Sequence, residues 1–254
     1  MRPTLVKVGG STLGSHDTTL DDLAGLHRAG RPLVVVHGGG KTITDWLGRM
    51  QIESRIVKGL RVTDEAGLEV VVAVLAGLVN KTLVGGLAAR GAKAFGLAGA
   101  DATFRARIGR PELGLVGDVS RVEPEALGLL LSAGFLPVVA PVGLADDGSG
   151  QLLNINADTA AGDLAAGIDA EYVAFLTDVE GVKDEAGRVI DRLSRAEAEE
   201  LMARGVASGG MIPKLQACLH ALSPGRRVAI VDGRQPGALG RTIAGEPVGT
   251  VITE

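Results

Sequence analysis

Six short apolar runs constrain this chain more than any other feature: TLVKV (4–8), PLVVV (32–36), AKAFGL (92–97), LPVVAPV (136–142), EYVAFLT (171–177) and RRVAIVD (226–232). A strand buried on both faces reads as a continuous apolar run, whereas a strand with one wet face alternates. Between the runs lie stretches with apolar residues at helical spacing, over 65–90, 123–133, 158–168, 194–204 and 211–222. Strand–helix alternation of this kind predicts the α/β class, a three-layer αβα sandwich with a mainly parallel central sheet and right-handed crossovers. Residues 100–121 fit that rhythm poorly and read as a small antiparallel excursion. The composition agrees, with 46% hydrophobic but only 2% aromatic residues, so Ala, Val, Leu and Ile supply the filling.

A chain of 254 residues suits one large domain, or two lobes sharing a continuous sheet. The softest boundary falls near 165–170. It divides the chain into an N-terminal lobe, 1–168, and a C-terminal lobe, 169–254. A net charge of −4 speaks against nucleic acid as a partner. The single cysteine, Cys218, excludes a disulfide framework and favours a reducing cytoplasm. The N-terminal MRPTLVKVGG lacks the apolar core of a signal peptide, and no apolar run reaches the roughly 18 residues of a membrane span. No membrane partner is expected.

The segment VVVHGGGKT (34–42) imitates half of a phosphate-binding loop. The full pattern needs a glycine five residues before Gly40, where Val35 stands inside the strand, so the loop is too short to wrap a phosphate. A strand running into three glycines at a helix N-terminus still offers bare N–H groups and a positive helix end to an anion, carboxylate or phosphate. The plainer reading is a tight turn that needs positive φ. Lys7 repeats the theme, lying inside the first strand just before Gly9-Gly10, where open α/β sheets place their ligands. Asn154, Asn156 and Asp158 alternate along an extended segment and share a side. Asp158 then precedes an Ala-rich helix and would serve as its N-cap. In SGGMIPKLQ (208–216), Lys214 sits in a first helical turn, where a cation opposes the helix dipole.

Taken in order, the motifs are KVGG (7–10), HGGG (37–40), GLRVT (59–63), NINAD (154–158), TDVEGV (177–182) and GGMIPK (209–214). This series resembles the amino acid kinase family across essentially the whole chain. VKGLRVTDE and LNINAD resemble the branch of that family that makes an acyl phosphate from ATP and N-acetyl-L-glutamate in arginine biosynthesis. The resemblance implies an amino acid kinase-like fold and assigns roles. Gly39 and Gly40 match positions for the acetylated substrate. Arg61 matches the clamp on its α-carboxylate, a task for a planar bidentate donor. Asn154 matches a substrate contact, and Asn156 is assigned with it. Lys7 and Lys214 match two lysines flanking the transferred phosphoryl group, and Asp158 matches the carboxylate that orients them. Gly9 and Gly10 match positions near that phosphate. Asp178, Val179, Glu180, Gly181, Val182 and Lys183, with the turn Val206, Ala207, Ser208 and Gly209, match the ATP site. The implied cofactors are ATP and Mg²⁺, with no dedicated protein metal site.

The chemistry is self-consistent. A glutamate side chain, with a pKa of about 4.3, is ionised at neutral pH and needs no general base. Catalysis then reduces to positioning and charge neutralisation. No histidine but His37 stands among the motifs, and it reads as loop structure. Lys41 follows the triple glycine where many relatives have proline, which makes that helix start less rigid. The chain begins almost at its first strand, whereas arginine-inhibited relatives carry an extra N-terminal helix. An arginine-insensitive homodimer is therefore expected, with the stretch around 66–79 as its contact. Two alternatives stay open: a sister kinase acting on carrier-linked aminoadipate, and a non-catalytic nucleotide-binding domain.

Overall fold

The computed structural model describes residues 2–9, 18–57, 59–207 and 211–254. The first half contains β1 (Thr4–Val8), α1 (Thr19–Arg28), β2 (Leu33–His37), α2 (Gly40–Arg49) and the short strands β3 (Ile56–Val57) and β4 (Leu60–Arg61). A long helix follows, made of α3 (Glu65–Val72), a π-helical segment (Ala73–Val79) and α4 (Asn80–Ala88). Next come β5 (Ala94–Ala98), β6 (Phe104–Ile108), β7 (Val116–Val122), α5 (Glu125–Ser132), β8 (Leu136–Ala140), β9 (Val142–Ala145), β10 (Leu152–Ile155) and α6 (Ala157–Gly167). The second half adds β11 (Tyr172–Thr177), β12 (Arg192–Ser194), α7 (Arg195–Ala203), α8 (Met211–Ala221), β13 (Arg227–Asp232), α9 (Ala238–Ile243) and β14 (Thr250–Thr253).

Eight strands form the main sheet in the order β12-β14-β13-β11-β1-β2-β8-β5. All neighbours are parallel except β13 and β14. The two halves of the chain meet at the β1–β11 pairing. Both faces are covered, as the continuous apolar runs require. Leu5, Val34, Val36, Val139, Val173 and Phe175 point into one core, with α5, α6, α7 and α8. Val6, Val8, Leu33, Val35, Val138 and Ala174 point into the other, with α1, α2, the long helix and α9. The three-layer sandwich is as the sequence predicts.

Two runs behave differently from the plain reading. LPVVAPV divides at Pro141: β8 stays in the main sheet, and β9 turns into a small closed sheet with β6, β7 and β10. Proline cannot donate to a ladder, and here its carbonyl accepts from Ile155 N at 3.0 Å. This closed sheet contains the excursion expected over 100–121, with β6 and β7 antiparallel. The helix Glu65–Ala88 runs 24 residues and, by length and composition, is apolar enough to cross a membrane, contrary to the expectation that no stretch would be. Its inner face, including Val71, Val74, Leu75, Leu83 and Leu87, packs in the second core.

At the far end of the first layer, the buried Arg226 donates to Ala165 O at 3.0 Å, Ala170 O at 2.9 Å and Ala221 O at 2.9 Å. One guanidinium thereby ties the C-terminal ends of α6 and α8 to the start of β11. Those two helices carry Asp158 and Lys214 in their first turns.

Candidate functional site

β1 and β2 are adjacent and parallel, so their glycine turns leave the sheet side by side. Gly9 is buried, its N–H donating to Leu176 O at 3.2 Å, and Gly38 N donates to Val8 O at 3.0 Å. His37 ends β2 and is fully buried, not part of a loop as the sequence suggested. Asn80 Nδ2 donates to Val138 O at 2.8 Å and approaches His37 Nε2 at 3.2 Å. That ring nitrogen therefore accepts, and the proton sits on Nδ1, which donates to Gly38 O at 2.9 Å. Burial pulls the His37 pKa down to about 4, with Lys81 adding repulsion and the Gly38 carbonyl opposing both. The imidazole is neutral, and both its nitrogens are spent on holding the turn.

The turn itself is not the positive-φ turn considered above. Gly39 has φ 172°, an extended conformation open to any residue. Glycine is needed there for space, because a Cβ would lie 2.7 Å from Leu75 Cδ2 and 3.4 Å from Val79 Cγ2. Both contacts come from the π-helical segment, a feature frequent near functional sites. At Gly40 a Cβ would meet nothing within 4 Å. That face opens into a cleft of about 410 Å³.

Gly39, Gly40, Arg61, Asn154, Asn156 and Asp158 all line this cleft. Arg61, on the β3–β4 hairpin, donates to Gly40 O at 3.1 Å and Thr44 Oγ1 at 2.8 Å, and also contacts Ser54 Oγ. Partial burial lowers its pKa from the usual range, yet an arginine remains a cation. Thr63 Oγ1 donates to Arg61 O at 3.0 Å and accepts from Asn154 Nδ2 at 3.0 Å. A single chain of hydrogen bonds thus fixes the two cleft walls to each other.

Lys7 shares the Leu5 face of β1, the face that α6 covers. Its ammonium meets Asp158 Oδ1 at 2.7 Å, with the two side chains 15% and 29% exposed. Asp158 is not the helix cap. Asn156 is, its Oδ1 accepting from Asp158 N at 2.8 Å and Thr159 N at 3.1 Å. The Asp158 carboxylate is thereby left to Lys7, and a first-turn anion also suits the helix dipole. Asn156 reaches the cleft, but with its carbonyl oxygen committed to the cap. Lys214 is half-buried in the first turn of α8, which packs on α6. The fully buried Cys218 lies close enough to feel both Asp158 and Lys7, and burial pushes its thiol well up.

A second cleft, about 500 Å³, opens where β11 and β13 end. It is lined by Asp178, Val179, Glu180, Gly181, Val182, Lys183, Val206 and Ala207. Gly181, at φ 153°, leaves room for Thr250 Oγ1 and Val189 Cγ1, which a Cβ would meet at 2.7 and 2.8 Å. Of the residues assigned to the nucleotide, Gly10, Ser208 and Gly209 lie outside the described residues. Gly9, Lys7 and Lys214 line neither of these two clefts. The sequence reading missed Met211 and Arg234, which complete the wall. Arg234 donates twice to the Asp232 carboxylate, at 2.9 Å each. Its signal was available, since it follows the carboxyl end of an apolar run, where open α/β sheets place their ligands. Among the described residues, no group of three or more His, Cys, Asp or Glu gathers to hold a metal.

Comparison with known proteins places the chain. Residues 2–232 match the model of the amino acid kinase family. An acetylglutamate kinase from Dehalococcoides mccartyi is 45% identical over 254 residues, covering 98% of this chain and 93% of that protein. Among solved structures, smu.665 from Streptococcus mutans superposes with a TM-score of 0.82 at 27% identity, covering 98% of both chains. N-acetylglutamate synthase from Neisseria gonorrhoeae, complexed with coenzyme A and N-acetyl-glutamate, gives 0.87 at 24% identity. That match covers all of this chain and 59% of the other, a likeness of fold.

The buried imidazole makes a prediction. The unfolded chain binds a proton at His37 near pH 6.5, but the native state does so only near 4. Stability from this group is therefore complete above 6.5 and lost as pH falls toward 4, by about 3 kcal/mol. NMR of the ring should show titration near pH 4; titration near 6.5 would contradict the buried hydrogen-bonded arrangement.

Proposed function

The chain belongs to the amino acid kinase family, and on that premise we propose that it transfers the γ-phosphoryl group of ATP to the side-chain carboxylate of N-acetyl-L-glutamate. The observation that carries this reading is one cleft in which Gly40, Arg61, Asn154 and Asp158 converge, Asp158 being paired with Lys7. The relatives named acetylglutamate kinase, 45% identical over nearly the full length, support it. The protein is then a phosphotransferase of amino-acid biosynthesis, on the route to arginine.

In the proposed reaction a carboxylate oxygen forms a bond to the γ-phosphorus while the bond to the β,γ-bridging oxygen breaks, leaving ADP and an acyl phosphate. The nucleophile is already ionised, so no base is required. The neutral, buried His37 is consistent with that. Arg61 presents a planar donor to the substrate's α-carboxylate. The bare amides at Gly39 and Gly40, at the start of α2, donate to its remaining oxygens. Lys7 and Lys214 neutralise charge moving onto the phosphoryl oxygens, and Asp158 keeps Lys7 aimed. The nucleotide occupies the second cleft, between Asp178–Lys183 and Val206–Ala207, with Arg234 beside it. Mg²⁺ favours phosphate oxygens and water over protein cages. It would arrive on the ATP phosphates and shield their charge. Residues 1–168 then serve the acceptor and subunit contact, and 169–254 serve ATP. We place the enzyme in the cytoplasm.

We also propose a homodimer. β5 closes one edge of the sheet, and Phe95, Phe135 and Leu78 near it are 45%, 36% and 45% exposed. Light scattering should give twice the chain mass, and Phe95→Glu should reduce it to a monomer; a monomeric parent refutes this surface.

The function is tested by ADP release with N-acetyl-L-glutamate, glutamate, aspartate and N-acetylated aminoadipate as acceptors. Only the first should support rapid turnover. Arg61→Ala should raise KM for the acceptor about ten- to a hundredfold with little change for ATP, the loss of a charge-assisted pair. Equal effects on both substrates would misplace the arginine.

Lys7→Ala and Lys214→Ala should each lower kcat roughly a hundredfold, with smaller changes in either KM. Asp158→Asn leaves the Asn156 cap intact and removes only the charge. It should stay folded, with a lower Tm because Lys7 loses its partner, and lose most activity. A fully active Asp158→Asn variant would show that the ion pair has no part in the chemistry.

A further inference from the structure

α6 and α8 lie side by side with their N-terminal turns at the phosphoryl site, and they cross at a point of unusually close approach. At Gly162 a Cβ would lie 2.6 Å from His220 Cδ2 and 3.4 Å from Ala221 N. The His220 ring lies over that glycine, and its Nε2 bonds Asp163 Oδ1 at 2.9 Å. The two side chains are 46% and 27% exposed. Asp163 is five residues beyond Asp158 on α6, and His220 is six beyond Lys214 on α8. At about 1.5 Å per residue, the bond lies roughly 8–9 Å along each helix from the reacting end. Arg226 ties the C-terminal ends of the same helices. Nothing in the proposed chemistry uses His220, Asp163 or Gly162.

We propose that the His220–Asp163 bond, seated on Gly162, is a positioning device that fixes α8 against α6 and so holds Lys214 at its working distance from the Lys7–Asp158 pair. This rests on the kinase reading above. A surface ion pair normally contributes little because its partners are free to move. Here the ring is laid on a glycine and half-sheltered, so the bond fixes a helix crossing. The charges that act on His220 are Asp163 on α6 and Asp118 on β7, the latter itself paired with Arg110 at 2.6 Å. Both acidic groups raise the His220 pKa, with the Asp163 hydrogen bond leading and burial opposing. The protonated form makes the stronger bond. Its contribution is complete below about pH 6.5 and fades as pH rises through the raised native value. The device is therefore tighter at the acid end of the working range.

The test is steady-state kinetics from pH 6 to 9 on the full chain, with N-acetyl-L-glutamate and ATP, for the parent, His220→Gln, Asp163→Asn, the double variant and His220→Arg. At pH 6.5, His220→Gln and Asp163→Asn should each lower kcat about fivefold with both KM values within twofold. The double variant should be no worse than either single variant, because one bond is being removed. His220→Arg, which keeps a charged donor, should recover most of the loss. In the parent, kcat should fall toward the His220→Gln value as pH rises, and His220→Gln should lack that step. Unchanged kcat in His220→Gln, additive losses in the double variant, or a loss confined to KM would each overturn the proposal. A parent that does not turn over N-acetyl-L-glutamate would instead overturn the functional reading, and this inference with it.

Discussion

A lysine inside the central strand of an eight-stranded sheet is the constraint on which this structure turns. Lys7 is flanked in register by Val36 and Phe175, and its neighbours along β1 are fully buried. A charge in that place must be paired, because removing one partner of a sheltered ion pair costs several kcal/mol. The partner has to come from the layer above, so an anion must stand at the start of the helix that crosses β1. That requirement accounts for the order of residues leaving β10. Asn156 takes the cap, Ala157 begins α6, and Asp158 is delivered to Lys7 at 2.7 Å with its carboxylate uncommitted to the helix backbone.

The glycine turn after β2 rests on a second buried polar set. His37 and Asn80 are both fully buried, and each satisfies the other. Asn80 reaches inward because the long helix widens to a π-helical turn over Ala73–Val79 just before it. The same turn seats Leu75 and Val79 against Gly39. Helix, strand end and glycine turn are therefore packed and hydrogen-bonded to one another.

The two clefts share the carboxyl edge of the parallel strands, where an open α/β sheet collects its ligands. Their chemistry differs. The cleft beside Gly40 carries Arg61 and bare amides, suited to carboxylates. The second carries Asp178 and Glu180 with Lys183 and Arg234 engaged by acidic neighbours. Between them run β1, α6 and α8, and this central position gives the crossing of the two helices its leverage.

By itself the sequence determined the layers and the edge at which the site lies. Burial on both faces forces continuous apolar runs, and such runs are legible in TLVKV or EYVAFLT without coordinates. The motif order pointed to Lys7, Arg61, Asn154, Asp158 and the 178–183 segment; all of these but Lys7 line a cleft, and Lys7 pairs with Asp158, which does. Tertiary structure decided what depends on distance between segments far apart in the chain. Asp158 read as a cap, since any Asp before an Ala-rich helix does, and only the Lys7 contact shows why Asn156 caps instead. His37 read as loop because its partner Asn80 lies 43 residues on, inside an otherwise apolar helix. Gly39 read as a turn glycine, although its φ is ordinary and its lack of a side chain answers to Leu75. Pro141 divided a run that periodicity treats as one strand. Local pattern reports which face of a segment is buried; what lies across that face is set by packing, and no single-segment periodicity contains it.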